Sequence, residues 1–286
     1  MSKTEIPLSN VLSATPAVNF HLLAACNARC QFCYATFPGL KRRLSSGDAG
    51  RVVDALAEAG ARKITFAGGE PTLHPHLGVL LRRARDRGLV TCVVTNGYRL
   101  AALLDAHGDA LDWVALSVDS SFEATQRALG RGADIPARAV QHADRARSLG
   151  IRVKLNTVVT RETVHEDMSA YVARLRPERW KILQVLPMGG QNDGVVEPLV
   201  ITAEEFTHFV ERHRPLGDLG ITVVPEDNDA MRGSYVMVDP LGRFFGNVTG
   251  SHRESAPILE AGVARALAEV GVVPEKLVAR GGVYAW

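Results

Sequence analysis

Cys26-Asn27-Ala28-Arg29-Cys30-Gln31-Phe32-Cys33 follows directly on an apolar run, Val18 to Ala24, and sets what the rest of the chain has to build. Three thiols within eight residues can hold three irons of a four-iron, four-sulfur cluster and leave the fourth iron without a protein ligand. Structural zinc would need a fourth soft ligand. The remaining cysteine, Cys92, sits at the centre of the apolar run Leu89 to Val94, the ordinary place of a small buried thiol. Spacings of four and three residues, without a secretory leader, do not make a disulfide framework.

Around this segment the strand and helix signals alternate. Strands are expected at Val18 to Ala24, Lys63 to Ala67, Leu89 to Thr95, Trp113 to Ser117, Arg152 to Val159 and Lys181 to Leu186. Helices fall between them, such as Asp48 to Ala59, stopped by Gly60, and Leu77 to Arg87, ended by Gly88. Six βα units predict an α/β fold on a parallel sheet; the family that the cysteine motif resembles implies a partial (β/α)6 barrel with its chemistry at the carboxyl ends of the strands. Arg82, Arg83, Arg85 and Arg87 read as a solvated helix face. The turn-rich segment from Pro187 to Gly194 ends the barrel, which gives residues 17–187 as one domain and 188–286 as an α+β extension. In the extension, a helix from Thr202 to Arg214 starts with a Thr202/Glu205 capping box. Ile221 to Val224, Tyr235 to Val238 and Phe244 to Asn247 read as short antiparallel strands, and Leu259 to Glu269 as a last helix. It holds no cysteine and so no auxiliary cluster.

The chain of 286 residues is 46% hydrophobic and 22% charged, an ordinary globular composition with room for a full core. Its net charge of +2 gives no global attraction for nucleic acid or membrane, so an anion site must come from local arrangement. Met1 to Pro16 is polar and reads as a flexible N-terminus without a signal peptide, and no run approaches the roughly 20 apolar residues of a membrane span. The expected location is the cytoplasm.

Parity along the strands is informative. Residues two apart share a face, which groups Lys63 with Thr65 and Ala67, Lys154 with Asn156, and Arg179 with Lys181. An unpaired buried ammonium group is costly. Lys63 and Arg179, near strand starts, can reach solvent; Lys154 has Val153, Leu155 and Val158 packed around it in sequence and needs an anion. A triphosphate would satisfy several of these cations together, lysine as a point charge and arginine as a fork. Gly68-Gly69-Glu70-Pro71, after the second strand, is a turn whose glycines let the backbone approach a ligand. No HExxH, paired-carboxylate or GxGxxG pattern accompanies it.

The CxxxCxxC motif followed by Gly-Gly-Glu-Pro resembles the radical S-adenosylmethionine enzymes. Asn19-Phe20-His21, Leu116 to Ser120, Gly130-Arg131-Gly132, Lys154-Leu155-Asn156, Arg179-Trp180-Lys181 and the tail Arg280 to Trp286 are together similar to the viperin family, from about Asn19 to Trp286. That resemblance implies Cys26, Cys30 and Cys33 as the catalytic cluster ligands. It implies S-adenosylmethionine bound by Phe32, Tyr34, Gly68, Gly69, Glu70, Asn96, Ser117, Arg131 and Asn156. The nucleotide is expected at Asn19, Lys63, Lys154, Arg179, Lys181 and Tyr235, with Arg253 or His252 nearby. The implied reaction removes the C4′ hydrogen of a ribonucleoside triphosphate and loses the 3′-hydroxyl as water. Its 3′-deoxy-3′,4′-didehydro product terminates viral RNA synthesis, which makes the expected role antiviral defence.

An electron donor such as flavodoxin or ferredoxin is the implied partner, and the chain is expected to be a monomer similar to the microbial members. Where animal viperins read Leu-Asn-Cys-Arg, this chain has Phe245-Gly246-Asn247-Val248, and Ala67 replaces a serine. The resemblance implies cytidine triphosphate as the first expected substrate, and the changed residues Gly246 and Asn247 keep uridine or guanosine triphosphate as alternatives. The tail is expected to fold over the barrel mouth and exclude water. Two other readings stay open on the residues alone, a radical enzyme acting on a peptide or small metabolite and a non-catalytic iron–sulfur or zinc protein.

Overall fold

The computed structural model describes residues 12–285. Ten strands run in the order β1 Ala17–His21, β2 Lys63–Ala67, β3 Val90–Thr95, β4 Trp113–Ser117, β5 Arg152–Val159, β6 Arg179–Gln184, β7 Thr222–Glu226, β8 Val236–Val238, β9 Arg243–Gly246 and β10 Arg253–Pro257. They form one sheet ordered β10-β9-β8-β1-β2-β3-β4-β5-β6-β7. All pairings from β8 through β1 to β7 are parallel, and only β9 and β10 at one edge are antiparallel.

The first six strands match the expected alternation, although β1 stops at His21, where the chain turns toward the cysteine loop. Helices α1 Ser46–Glu58, α2 Leu77–Asp86, α3 Leu100–His107, α4 Glu123–Ala128, α5 Ile135–Ser148 and α6 Ser169–Leu175 return the chain between them. On α1 the Ser45 hydroxyl caps Asp48 N at 3.1 Å, and Val52, Val53 and Leu56 are fully buried. Leu77, Leu80, Leu81 and Ala84 of α2 are likewise buried, each large side chain contributing about 1.5–3 kcal/mol. Arg82, Arg83 and Arg85 of α2 and Arg87 just after it meet Asp109, Asp54, Asp112 and again Asp54. Their charges are thus neutralised on the helix surface, at about 0–1 kcal/mol per exposed pair.

The extension departs from the expectation. Its first two strands do not make an antiparallel unit of their own. β7 adds to β6 in parallel, and β8 adds to β1 in parallel, so the extension lengthens the barrel sheet at both edges. Helix α7 Ala203–His213 carries the expected capping box between Thr202 and Glu205 and leads into β7. α8 Asn228–Met231 stands between β7 and β8. The single helix expected over Leu259 to Glu269 is two, α9 Ile258–Ala261 and α10 Val263–Ala268, because Gly262 adopts φ +78°, a left-handed conformation that breaks the helix. α11 Pro274–Ala279 follows.

At the other end, Met1 to Val11 of the expected flexible segment lie outside the described residues. Leu12 and Thr15 are buried, and Leu12 N donates to Ala59 O at 2.9 Å, so the segment's last residues are packed, not loose. Among the described residues no helix is long and apolar enough to cross a membrane.

β5 and β6 alternate half-buried and fully buried residues. The fully buried set, including Val153, Leu155, Trp180 and Ile182, packs in the main core. The other set faces the interior of the curved sheet and builds the site.

Candidate functional site

The inward faces enclose a cavity of about 290 Å³ whose lining includes the strand ends Ala67, Thr95 and Ser117 and all three thiols of the cysteine loop. It adjoins a chamber of about 80 Å³ toward the amino ends, and Asn19, Thr65, Lys154, Lys181 and Tyr235 line both. The site therefore has two ends of different chemistry.

At the carboxyl ends, Cys26 is exposed and Cys30 and Cys33 are partly buried. Arg29 N donates to Gly130 O at 2.9 Å, and Asn192 donates to Phe32 O at 3.2 Å, which braces the loop from both sides. A Cβ at Gly130 would stand 2.0 Å from Arg29 O, and one at Gly69 would stand 2.2 Å from Ala25 O. Only glycine permits these close approaches.

Glu70 is buried and its carboxylate is fully engaged. Oε1 accepts from Thr72 N at 3.0 Å, Thr72 Oγ1 at 2.6 Å and Thr95 Oγ1 at 2.7 Å, and Oε2 accepts from Asn96 N at 2.8 Å. Glu70 thus fixes the turn after β2 against the end of β3. Asn96 Nδ2 donates to Asn27 Oδ1 at 2.7 Å, tying that strand end to the cysteine loop.

Ser117 and Asn156 stand side by side in register on β4 and β5. Arg131 is partly buried, pairs with Asp119 and lies 5.5 Å over the Phe32 ring. Tyr34 packs edge-on at 6.3 Å to His21, which burial holds neutral with its pKa lowered to about 3. All nine residues expected around S-adenosylmethionine line this one cavity.

These groups fit an iron–sulfur cluster. Burial pushes the Cys30 thiol up to about 12, so in the protein alone it stays protonated, whereas a coordinated metal deprotonates a thiol outright. Among the described residues no three such donors converge on a single metal ion. A four-iron cluster asks for no such convergence, since each thiolate takes its own iron. Cys92 stands on β3, buried against Trp113 and Ala115 of β4, and lines the same cavity as the three thiols.

At the amino ends, Lys63, Lys154, Arg179 and Lys181 share the smaller chamber with Glu226, Arg280 and Tyr284. The Lys63 ammonium donates to the Tyr284 hydroxyl at 2.6 Å, and Lys154 reaches the same hydroxyl. The Arg179 guanidinium lies 3.9 Å over the Tyr284 ring, and its Nη2 donates to Gly281 O at 3.2 Å. Burial lowers the pKa of Lys63. It pushes Lys154 well below its ordinary value, with the facing Lys63 adding to the effect.

Glu226 is fully buried. Burial alone would raise its pKa, but Lys181 and Arg280 hold it below the ordinary value. Its Oε1 meets Lys181 at 2.8 Å and Arg280 at 3.1 Å, and Oε2 accepts from the Tyr235 hydroxyl. β7 and β8 are not neighbours in the sheet, so this cluster joins the two edges of the barrel through side chains.

Two expectations are corrected here. The tail does not cover the mouth with the cysteines. It closes the opposite end, because the groups that hold it, Lys63, Lys154, Trp113 and Arg179, stand at or near the strand starts; Trp286 lies outside the described residues. Arg253 is exposed on the edge strand β10, opposite Gly246, and lines neither chamber. Its neighbour His252 packs 4.7 Å from Phe245. Sequence reasoning did not single out Glu226 or Asp119 for these roles. Parity from Thr222 through Val224 places Glu226 inside, but Pro225 in the middle of so short a strand obscured it.

A family description, the radical SAM superfamily, matches residues 22–175. The fold agrees with this. SuiB of Streptococcus suis bound to S-adenosylmethionine superposes with a TM-score of 0.66 at 14% identity, over 80% of this chain and 59% of that one. The enzyme anSMEcpe with bound AdoMet and a peptide gives 0.62 at 14% identity, over 81% and 74%. The chain belongs to the radical SAM superfamily, whose members use a [4Fe-4S] cluster and S-adenosylmethionine.

Closer relatives narrow this. An S-adenosylmethionine-dependent nucleotide dehydratase of Lacinutrix mariniflava is 42% identical over 97% of this chain, which spans 60% of that relative's length. One of Flammeovirga pacifica is 41% identical over 95% of this chain and 96% of its own. The RSAD2 dehydratase of Danio rerio is 34% identical over 95% and 79%. Within the superfamily, the chain is a member of the S-adenosylmethionine-dependent nucleotide dehydratases, the viperin family.

Proposed function

We propose that this chain converts a ribonucleoside triphosphate, cytidine triphosphate first and uridine or guanosine triphosphate next, to its 3′-deoxy-3′,4′-didehydro analogue by loss of the C4′ hydrogen and of the 3′-hydroxyl as water. The observation that carries this is one barrel interior with a thiol triad at its carboxyl end and a cation group at its amino end. When bound, the cluster supplies the electron that cleaves S-adenosylmethionine and generates the hydrogen-abstracting radical.

The chain's residues position both partners. Gly68 and Gly69 leave room for the cofactor's amino group, while Ser117, Asn156 and Arg131 serve its carboxylate and ribose. Lys63, Lys154, Arg179 and Lys181 would hold the phosphates, with Asn19 and Tyr235, which line both chambers, where the two meet. The Tyr284 hydroxyl marks the point where two ammonium groups converge, and a phosphate oxygen meets them there. Asn247 lines the upper cavity and is held by Gly233 N at 2.9 Å, which makes its segment the candidate for base selection.

Residues 17–187 act as the radical barrel in this reading, and 188–286 complete the nucleotide site and carry the tail. The product would serve antiviral defence in the cytoplasm, made by a monomer that takes electrons from a flavodoxin or ferredoxin.

The test is a ribonucleotide deuterated only at C4′, offered to the reduced holoenzyme. Deuterium should appear in 5′-deoxyadenosine, and the nucleotide should lose the mass of one water. Formation of 5′-deoxyadenosine without deuterium from any of the four nucleotides would refute the dehydratase reading.

A further inference from the structure

Glu226 is the last residue of β7 and is fully buried. Other parts of the fold converge on its carboxylate. Oε1 meets Lys181 of β6 at 2.8 Å and Arg280, just after α11, at 3.1 Å. Oε2 accepts from the hydroxyl of Tyr235, which precedes β8. Arg280 also lies 3.8 Å over the Tyr235 ring and donates to Ser234 O at 3.1 Å, which fixes it from a second side. Burial opposes the charge on Glu226, yet Lys181 and Arg280 hold its pKa below the ordinary value, so the carboxylate is ionised at neutral pH.

The hydrogen bonds have a direction. An ammonium group carries three donors and no acceptor. Glu226 engages one donor of Lys181, and the Tyr235 hydroxyl takes a second at 2.8 Å. The third is left for a ligand, and the other two set where it points. The Tyr235 proton goes to Glu226, so this phenol offers a ligand no donor of its own. Lys181 and Tyr235 line both chambers, whereas Glu226 lines only the lower one. A buried ion pair contributes little net stability beside apolar packing, so closing the seam between β7 and β8 does not by itself ask for a carboxylate.

We infer that Glu226 is a positioning residue of the nucleotide site, which aims the Lys181 ammonium at the substrate's phosphates while Arg280 anchors the carboxylate from the tail side. This rests on the reading of the interior as a triphosphate site. The sign of the effect separates positioning from charge. A carboxylate repels a nearby anion, so on charge alone its removal strengthens triphosphate binding, whereas loss of positioning weakens it.

The test compares Glu226→Gln with the parent, both as reconstituted holoenzyme, using whichever of the four ribonucleoside triphosphates the parent binds most tightly. Kd by calorimetry and KM by product mass should rise about tenfold, with iron content and S-adenosylmethionine affinity at the parent's level. In a Lys181→Met background the same change should add less than about twofold, because its effect runs through the ammonium group. If Glu226→Gln does not load a cluster, Glu226→Asp, which keeps the charge and withdraws it by one methylene, takes its place with the same expected rise. Unchanged or tighter nucleotide binding in the single variant, or a full further tenfold loss on top of Lys181→Met, overturns the inference and leaves the triphosphate reading standing. Failure of all four triphosphates to bind the parent removes both.

Discussion

Lys154 is nearly buried, and the partners it finds are a phenol and the Trp113 ring 4.7 Å away, not a carboxylate. Such a group waits for an anion. Replacing Lys154 or Lys181 with alanine should weaken triphosphate binding about tenfold to a hundredfold, from a charge-assisted contact of about 1.5–3 kcal/mol, with S-adenosylmethionine binding little changed; calorimetry with each ligand measures both. Burial pushes Lys154 and Lys63 toward their neutral forms in the free protein, whereas phosphate favours the ammonium forms. Binding therefore takes up protons, and affinity should fall as pH rises; proton uptake is read by calorimetry in buffers of different ionisation enthalpy. At the other end, alanine at Cys26, Cys30 or Cys33 should abolish the visible iron–sulfur absorption while Cys92→Ala retains it, and a cluster surviving Cys30→Ala would show a misplaced ligand. These residues were legible from order and parity alone, since three close thiols and a two-residue alternation survive any packing. Arg253 was not, because an arginine next to the right neighbour in sequence can still point outward from an edge strand.

The tail from Gly281 onward is bound by polar contacts to cations and not by a helix or strand. It closes the amino end of the barrel over the chamber that the cations line. Deleting Gly281 to Trp286 should lower product formed per 5′-deoxyadenosine while cluster content survives, because water then reaches the chamber. Equal coupling in the truncated and full chains would show that the closure is dispensable. That the tail folds back was readable from Gly281-Gly282 before an aromatic residue; which end it covers was not, since this depends on where the cations stand along their strands. The same limit applies to β7 and β8. Short strands separated by turns look antiparallel in sequence, and their parallel pairing is decided by the free edges of β6 and β1, which only the assembled sheet provides.

Across the molecule, the small net charge of +2 hides an uneven distribution. The helix arginines are paired at the surface, while a second group of cations is gathered inside the barrel. The interior can hold this charge because the opposite faces of β5 and β6 are dry core, with Trp180 and Leu155 fully buried. The βα rhythm through β6 was plain in the sequence, but the single sheet that continues past Pro187 was not.

The pairing of Val18 with Val236 joins strands far apart in the chain, whereas the pairings from β1 to β6 are made between successive units. Contacts of long sequence separation form late, and domains fold as the chain emerges during synthesis. The cysteine loop can be braced once Asn192 has been made, before β7 and β8 exist. In the life of each molecule the radical-generating end is thus assembled first. The end that the cations line is completed only when the last strands return to the edges of the sheet.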